Sequence, residues 1–165
     1  MPAQKLKEFL DANQIAYTTI SHSAAYTAQG IAALAHIPGK EMAKTVILHV
    51  DDGFAMAVLP ASQHVEMREL RRVLGAKHVR LAKEEEFKEL FPGCELGAMP
   101  PFGNLYGLPV FVDEILREDK EIAFNAGSHS ELVRMSYADF ERLVKPQVVS
   151  LAATAGVGES RDWRE

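Results

Sequence analysis

Two apolar runs, Ala43-Lys44-Thr45-Val46-Ile47-Leu48-His49-Val50 and Phe54-Ala55-Met56-Ala57-Val58-Leu59, are separated only by Asp51-Asp52-Gly53. Runs rich in β-branched and apolar residues read as strands, and Asp-Gly between them is a tight-turn signal. The chain therefore predicts a β-hairpin over 43–59, ended by Pro60, which cannot donate to a sheet ladder. Any fold for this sequence has to be built around that hairpin.

The flanking segments alternate between helical and strand patterns. Leu6, Phe9 and Leu10 share one helix face, Pro2 suits a first turn, and Asn13 is a stop. Residues 15–20 read as a strand. Thr27 caps an expected helix carrying Ile31, Leu34 and Ala35, closed by Pro38-Gly39. A helix is expected over 65–74 with Gly75 as its stop, then a strand over 78–81 and a helix over 83–91. Residues 110–112, 122–125 and 132–135 read as strands, the last two joined by a turn at 126–129. Ser136 caps a final helix, with Asp139 at the third position and Phe140, Leu143 and Val144 on its apolar face. These elements define a mixed α/β (α+β) class with one domain over 1–146. Residues 147–165, with Trp163, are expected to be a mobile tail. The absence of strict βαβ alternation and of a glycine fingerprint after a strand argues against a dinucleotide-binding unit.

A length of 165 residues suits a single domain that needs no disulfide or metal staple. No apolar run approaches a membrane span, the first residues lack an apolar signal core, and Cys94 is the single cysteine. The expected location is the cytoplasm. Lys and Arg number 18 against 23 Asp and Glu, a net charge of −5, which is opposite in sign to a general nucleic-acid coat protein.

Some residues depart from the packing pattern. Lys44 alternates with Val46, Leu48 and Val50, so an ammonium shares an apolar strand face. It either snorkels to water from the strand end or stands at the mouth of a pocket. The 18 residues from Pro92 to Pro109 hold four Gly and four Pro. Within them Gly97-Ala98-Met99-Pro100-Pro101-Phe102-Gly103 could present backbone N–H groups from a stiff loop to a carbonyl. The segment Phe124-Asn125-Ala126-Gly127-Ser128-His129 gathers amide, hydroxyl and imidazole groups. Adjacent Ser and His do not make a triad, however, and no nucleophile elbow is present. Nothing near Cys94 promises a depressed pKa. The six histidines show no metal-ligand spacing. Between 66 and 83 there are six basic residues and two acidic ones. Arg68, Arg71 and Arg72 there share a helix face, which is either a solvated surface or a shallow patch for RNA phosphates.

Lys44 in Ala43-Lys44-Thr45-Val46, followed by Gly97-x-x-x-Pro101 with Phe102-Gly103, resembles the YbaK family. This family comprises the free-standing relatives of the editing (insertion) domain of bacterial prolyl-tRNA synthetase. The resemblance runs from about residue 2 to 145. It implies a central mixed, mostly antiparallel sheet flanked by helices, with a pocket between sheet and loop. It also implies hydrolysis of the ester joining a wrong small amino acid (alanine, cysteine, serine or threonine) to tRNA. Lys44 and Gly97 match the family's catalytic positions, and Ala98 to Gly103 the substrate-positioning loop. Asn125, Gly127, Ser128 and His129 fall where members differ, and would tune which side chain enters. The implied partners are the aminoacyl-tRNA 3′ end, contacted by Arg68, Arg71 and Arg72, and an aminoacyl-tRNA synthetase; no cofactor, metal or membrane is implied. An activated ester needs positioning and electrostatics more than a strong nucleophile. The competing readings are a non-catalytic tRNA- or synthetase-binding module of the same fold and a hydrolase of another small ester.

Overall fold

The computed structural model describes residues 2–21, 41–92, 94–95 and 97–154. The chain begins with α1 (Pro2–Ala12), β1 (Tyr17–Ser21), β2 (Ala43–Val50), β3 (Gly53–Pro60) and β4 (Gln63–Val65). It continues with α2 (Met67–Leu74), β5 (Val79–Leu81), α3 (Glu84–Phe87) and β6 (Val110–Asp113). The last elements are β7 (Glu121–Ser128), β8 (Glu131–Ser136), α4 (Tyr137–Val144), β9 (Gln147–Val149) and β10 (Ala152–Thr154). The helix expected after Thr27 and the tryptophan at 163 lie outside the described residues.

The predicted hairpin forms, with Ala43 opposite Pro60 and Val50 opposite Gly53. Asp51 takes a positive φ of 49° in the turn. Its carboxylate accepts the N–H groups of Lys77 and His78 at 3.1 and 2.9 Å, which ties the turn to the approach of β5. The hairpin is the centre of a five-stranded mixed sheet in the order β5-β2-β3-β6-β9, with β6 parallel to β3 and β9 parallel to β6. An antiparallel sheet, β1-β8-β7, faces it, and β10 pairs with β4. Most pairings are antiparallel, as the resemblance implies.

The principal core lies between the two larger sheets. Ala43, Ile47, Met56 and Val58 meet Ile122, Phe124, Ala126, Val133 and Met135 there, with Leu6 and Leu10 of α1 and Phe140 of α4. Phe102 reaches this core from the proline-rich loop. Its ring is fully buried, with centroids 5.6 Å from those of both Phe124 and Phe140. Period-two alternation sends the other β2 residues outward. Val46, Leu48 and Val50 pack with Leu59, Val65, Leu70 and Leu151 in a second cluster beneath α2. Helix α2 is capped by the Glu66 carboxylate, which accepts the Arg68 N–H, and ends at Gly75 with φ 66°. Ser136 caps α4 by accepting the Asp139 N–H at 3.2 Å, as the sequence predicts.

The structure differs from the sequence expectations in three places. The helix expected over 83–91 breaks after Phe87, whose φ of −120° leaves the helical region, and a 3-10 turn (Lys88–Leu90) completes the approach to Pro92. The turn expected at 126–129 falls instead at His129-Ser130. A bulge between Asn125 and Ser128, with Gly127 at φ 101°, lets β7 continue through Ser128. The stretch expected to be a mobile tail is built into the fold over 147–154. There β9 lies parallel to β6, Leu151 is fully buried, and its N–H donates to the Asp113 carboxylate at 2.9 Å. Three-residue edge strands are too short to show a period, so the sequence carries no signal for them.

Candidate functional site

The site is set by the junction of the two larger sheets. Met42 and Ala123 form a parallel bridge between the start of β2 and the middle of β7. Two residues further along each strand stand Lys44 and Asn125. Residues two apart on a strand share a face, so Lys44 and Asn125 leave the bridge in step. Backbones in such a bridge lie about 4.8 Å apart. Their neighbours Ala43, Phe124 and Ala126 all point into the principal core, which puts Lys44 and Asn125 on the opposite face. Lys44 is half-buried, opposite Leu59 across the hairpin. Asn125 is only 7% exposed, and its Oδ1 has no hydrogen-bond partner among the described residues. An unmet buried acceptor costs about 1–3 kcal/mol, so the fold keeps this amide at a loss to its own stability.

The glycine-rich loop is bound to the end of the same strand. The Glu95 N–H donates to the Gly127 carbonyl at 2.8 Å, and the Gly127 N–H donates to the Ala98 carbonyl at 2.9 Å. The loop thus docks on β7 at the bulge, where Gly127 has left the regular ladder. The Glu95 carboxylate also accepts the backbone N–H of His129 at 2.6 Å. Gly97 has φ 85°, and a Cβ placed on it would lie 3.4 Å from His129 Cε1. The buried imidazole therefore rests against the Gly97 backbone, which only glycine permits without strain. Gly97, Ala98, Gly127 and His129 form one compact group that begins two residues beyond Asn125.

Other predicted positions have different surroundings. Met99 and Phe102 belong to the principal core, and Pro100, Pro101 and Gly103 are buried with them. A Cβ on Gly103 would collide with Val110 Cγ2 at 2.6 Å, so that glycine answers to packing. This half of the loop is the anchor, and Gly97-Ala98 is the half placed beside polar groups. Ser128 Oγ lies 3.4 Å from Ser130 Oγ, away from any triad geometry. Cys94 Sγ lies 3.6 Å from Tyr106 Oη, and burial pushes its thiol pKa up, the wrong direction for a nucleophile. Arg68, Arg71 and Arg72 are on α2, over the second cluster and apart from the loop. Among the described residues, no three His, Cys, Asp or Glu groups could share a metal ion, and no helix is long and apolar enough to cross a membrane.

Sequence reasoning missed two residues here. Glu95, a charged residue in the glycine- and proline-rich loop, holds the His129 backbone N–H with its carboxylate. Arg134 lies opposite Ala123 and pairs with Glu41 at 3.4 Å and Glu121 at 3.3 Å, strapping the start of β2 to β7 and β8. The usable signal was a lone arginine between Val133 and Met135 in an apolar strand.

Residues 22–143 match the family described as aminoacyl-tRNA editing domain. The chain is 29% identical over 157 residues to the multifunctional Ser/Thr-tRNA deacylase ProXp-y of Escherichia coli strain K12, covering 92% of this chain and 93% of that one. It is also 29% identical over 77 residues to a proline–tRNA ligase of Thermosipho africanus, a match spanning 47% of this chain and 14% of the ligase. A crystal structure of a proposed trans-editing enzyme for prolyl tRNA synthetase superposes with a TM-score of 0.79 over 92% of this chain and 97% of that one. At 22% identity that likeness speaks for the fold alone.

Proposed function

The chain belongs to the aminoacyl-tRNA editing domain family, and on that premise we propose that it is a trans-editing deacylase. It hydrolyses the ester of a small mischarged amino acid on tRNA, with seryl- and threonyl-tRNA the first substrates to test. One observation supports the reading: the matched segment, 22–143, contains Lys44 and Asn125, each two residues beyond the Met42–Ala123 bridge, and Gly97 beside His129.

The reaction adds water across an already activated ester. Its oxygen bonds to the carbonyl carbon, the bond to the ribose oxygen breaks, and that oxygen takes up a proton. Placement and charge stabilisation supply most of what such a step needs. Lys44 holds the terminal ribose-phosphate or polarises the carbonyl. The Gly97-Ala98 backbone positions the acyl group, and the unpartnered Asn125 Oδ1 accepts from its α-ammonium. The imidazole of His129 against Gly97 limits the room for the side chain, so the site works as a second sieve for small amino acids. The enzyme acts in the cytoplasm on tRNA released by a synthetase, independently of any metal.

The test is a deacylation panel of tRNAs charged with serine, threonine, alanine, cysteine and proline, with and without chelator. Release of one or more small amino acids, unaffected by chelator, is expected. Release of none would overturn the reading and favour a binding module.

A further inference from the structure

We propose that the outer surface of α2 is the docking site for the phosphate backbone of the tRNA acceptor end. The proposal rests on the deacylase reading and extends it to a second surface. Two adjoining grooves lie along this helix. One, of about 600 Å³, is lined by Arg68, Glu69, Arg71, Arg72, Gly75 and Ala76. The other, of about 200 Å³, is lined by Met67, Arg68, Arg71 and Val79. Arg68 and Arg71 border both.

The three arginines are not equivalent. Arg72 is held by Glu69 in a side-chain ion pair, and Arg80 nearby is held by Glu86 at 2.8 Å. Arg68 and Arg71 are exposed, and neither guanidinium makes an ion pair among the described residues. Spaced three apart, they stand about 5–6 Å from each other on one face. Planar guanidinium groups grip phosphate oxygens in pairs, which suits a repeating anionic backbone. The negative C-terminal end of the helix is only partly offset. The Arg71 and Arg72 carbonyls are closed by the N–H groups of Ala76 and Gly75, each at 3.3 Å. At Gly75 even an added Cβ would meet nothing within 4 Å, so a nucleic-acid backbone has clear approach to the floor.

Position relative to the site completes the argument. Lys44, Val46, Leu48 and Val50 share the face of β2 that α2 covers through Leu70. Val50 pairs with Val79, which lines the smaller groove. Val50 lies six residue steps along the strand from Lys44, about 20 Å at the usual rise. Because α2 and the cluster beneath it fill this face, a single-stranded 3′ end with its ester at Lys44 has to run over the exposed outer side of α2, where Arg68 and Arg71 stand. With a net charge of −5, capture has to be local, and α2 supplies the local positive field.

The experiment compares wild type with the Arg68→Ala/Arg71→Ala double variant on two substrates. One is the panel tRNA that wild type hydrolyses fastest; the other is the matching aminoacyl ester of adenosine, which has no backbone. The expected result is a rise in KM for the tRNA of about tenfold or more with kcat unchanged. The salt dependence of log kcat/KM should flatten by about 1.4, two single-strand contacts at about 0.7 each. Turnover of the adenosine ester and the melting temperature should not change. Unaltered KM and salt slope on tRNA would overturn the proposal. So would an equal loss on both substrates, or a loss confined to stimulation by a synthetase, which would make α2 a protein-docking surface. If wild type hydrolyses neither substrate, the deacylase reading itself fails, an outcome distinct from a deacylase indifferent to the double variant.

Discussion

The sheet junction and the surface of α2 are built on opposite principles. At the junction, Asn125 and His129 are buried and the loop beside them is fixed by backbone hydrogen bonds: Glu95 to Gly127, Gly127 to Ala98, and His129 to the Glu95 carboxylate. On α2, exposed guanidinium groups stand over grooves, and Arg68 and Arg71 make no ion pair among the described residues. The first arrangement holds atoms in place and excludes what does not fit. The second attracts a charged chain and tolerates movement. On the proposed reading, changes at the junction act on turnover and discrimination, and changes on the helix act on capture and salt sensitivity.

The largest expected effect comes from removing what the junction stands on. Phe102→Ala deletes a fully buried ring packed against Phe124 and Phe140, and should cost about 3–5 kcal/mol. For a chain of this size that lowers the melting temperature by about 10 °C, read by calorimetry. A shift of only a degree or two would mean that the loop is not anchored as described. Gly97→Val comes next. It forces a branched side chain into φ 85° and against His129, and should lower kcat about a hundredfold while the variant still melts cooperatively. Equal kcat would separate the loop from the chemistry.

Asn125→Leu sharpens the comparison from within the buried site. Because Asn125 Oδ1 has no partner among the described residues, a similar-sized apolar side chain should raise stability by about 1 kcal/mol while lowering kcat/KM. Loss of both stability and activity would make Asn125 a structural amide. The smallest effect belongs to the charged surface. Arg80 holds the Glu86 carboxyl down at about 2, from an ordinary value of 4.5. A depressed carboxyl stabilises the fold above its unfolded pKa and loses that contribution as pH falls through the folded one. Melting temperatures of wild type and Glu86→Gln should thus differ slightly at pH 6 and converge between pH 4.5 and about 2. A gap that stays constant with pH would show that the pair carries no linked stability.

Legibility in the sequence followed the length scale of each signal. The hairpin, the stop at Gly75 and the Ser136 cap were readable because apolar runs, a left-handed glycine and a capping hydroxyl act over a few neighbouring residues. Lys44 stood out because an ammonium on an apolar strand face breaks period two. Its proximity to Asn125 was not readable, since it depends on the Met42–Ala123 bridge between residues far apart in sequence. The bulge at Gly127 hid the true turn in the same way, because pairing with the loop at 95–98 decides it. Glu95 looked like one more surface acid until its hydrogen bond to His129 was in view. Arg68 and Arg72 looked alike in the sequence and separate only because Glu69 claims one of them.

The most direct test of the account is single-turnover hydrolysis of small-amino-acid tRNAs by wild type and by Lys44→Ala, with circular dichroism to confirm the fold. The account predicts release of serine, threonine or another small amino acid by wild type, and a rate at least a hundredfold lower in the folded variant. An unchanged rate in Lys44→Ala would contradict the placement of the chemistry at the junction of the two sheets.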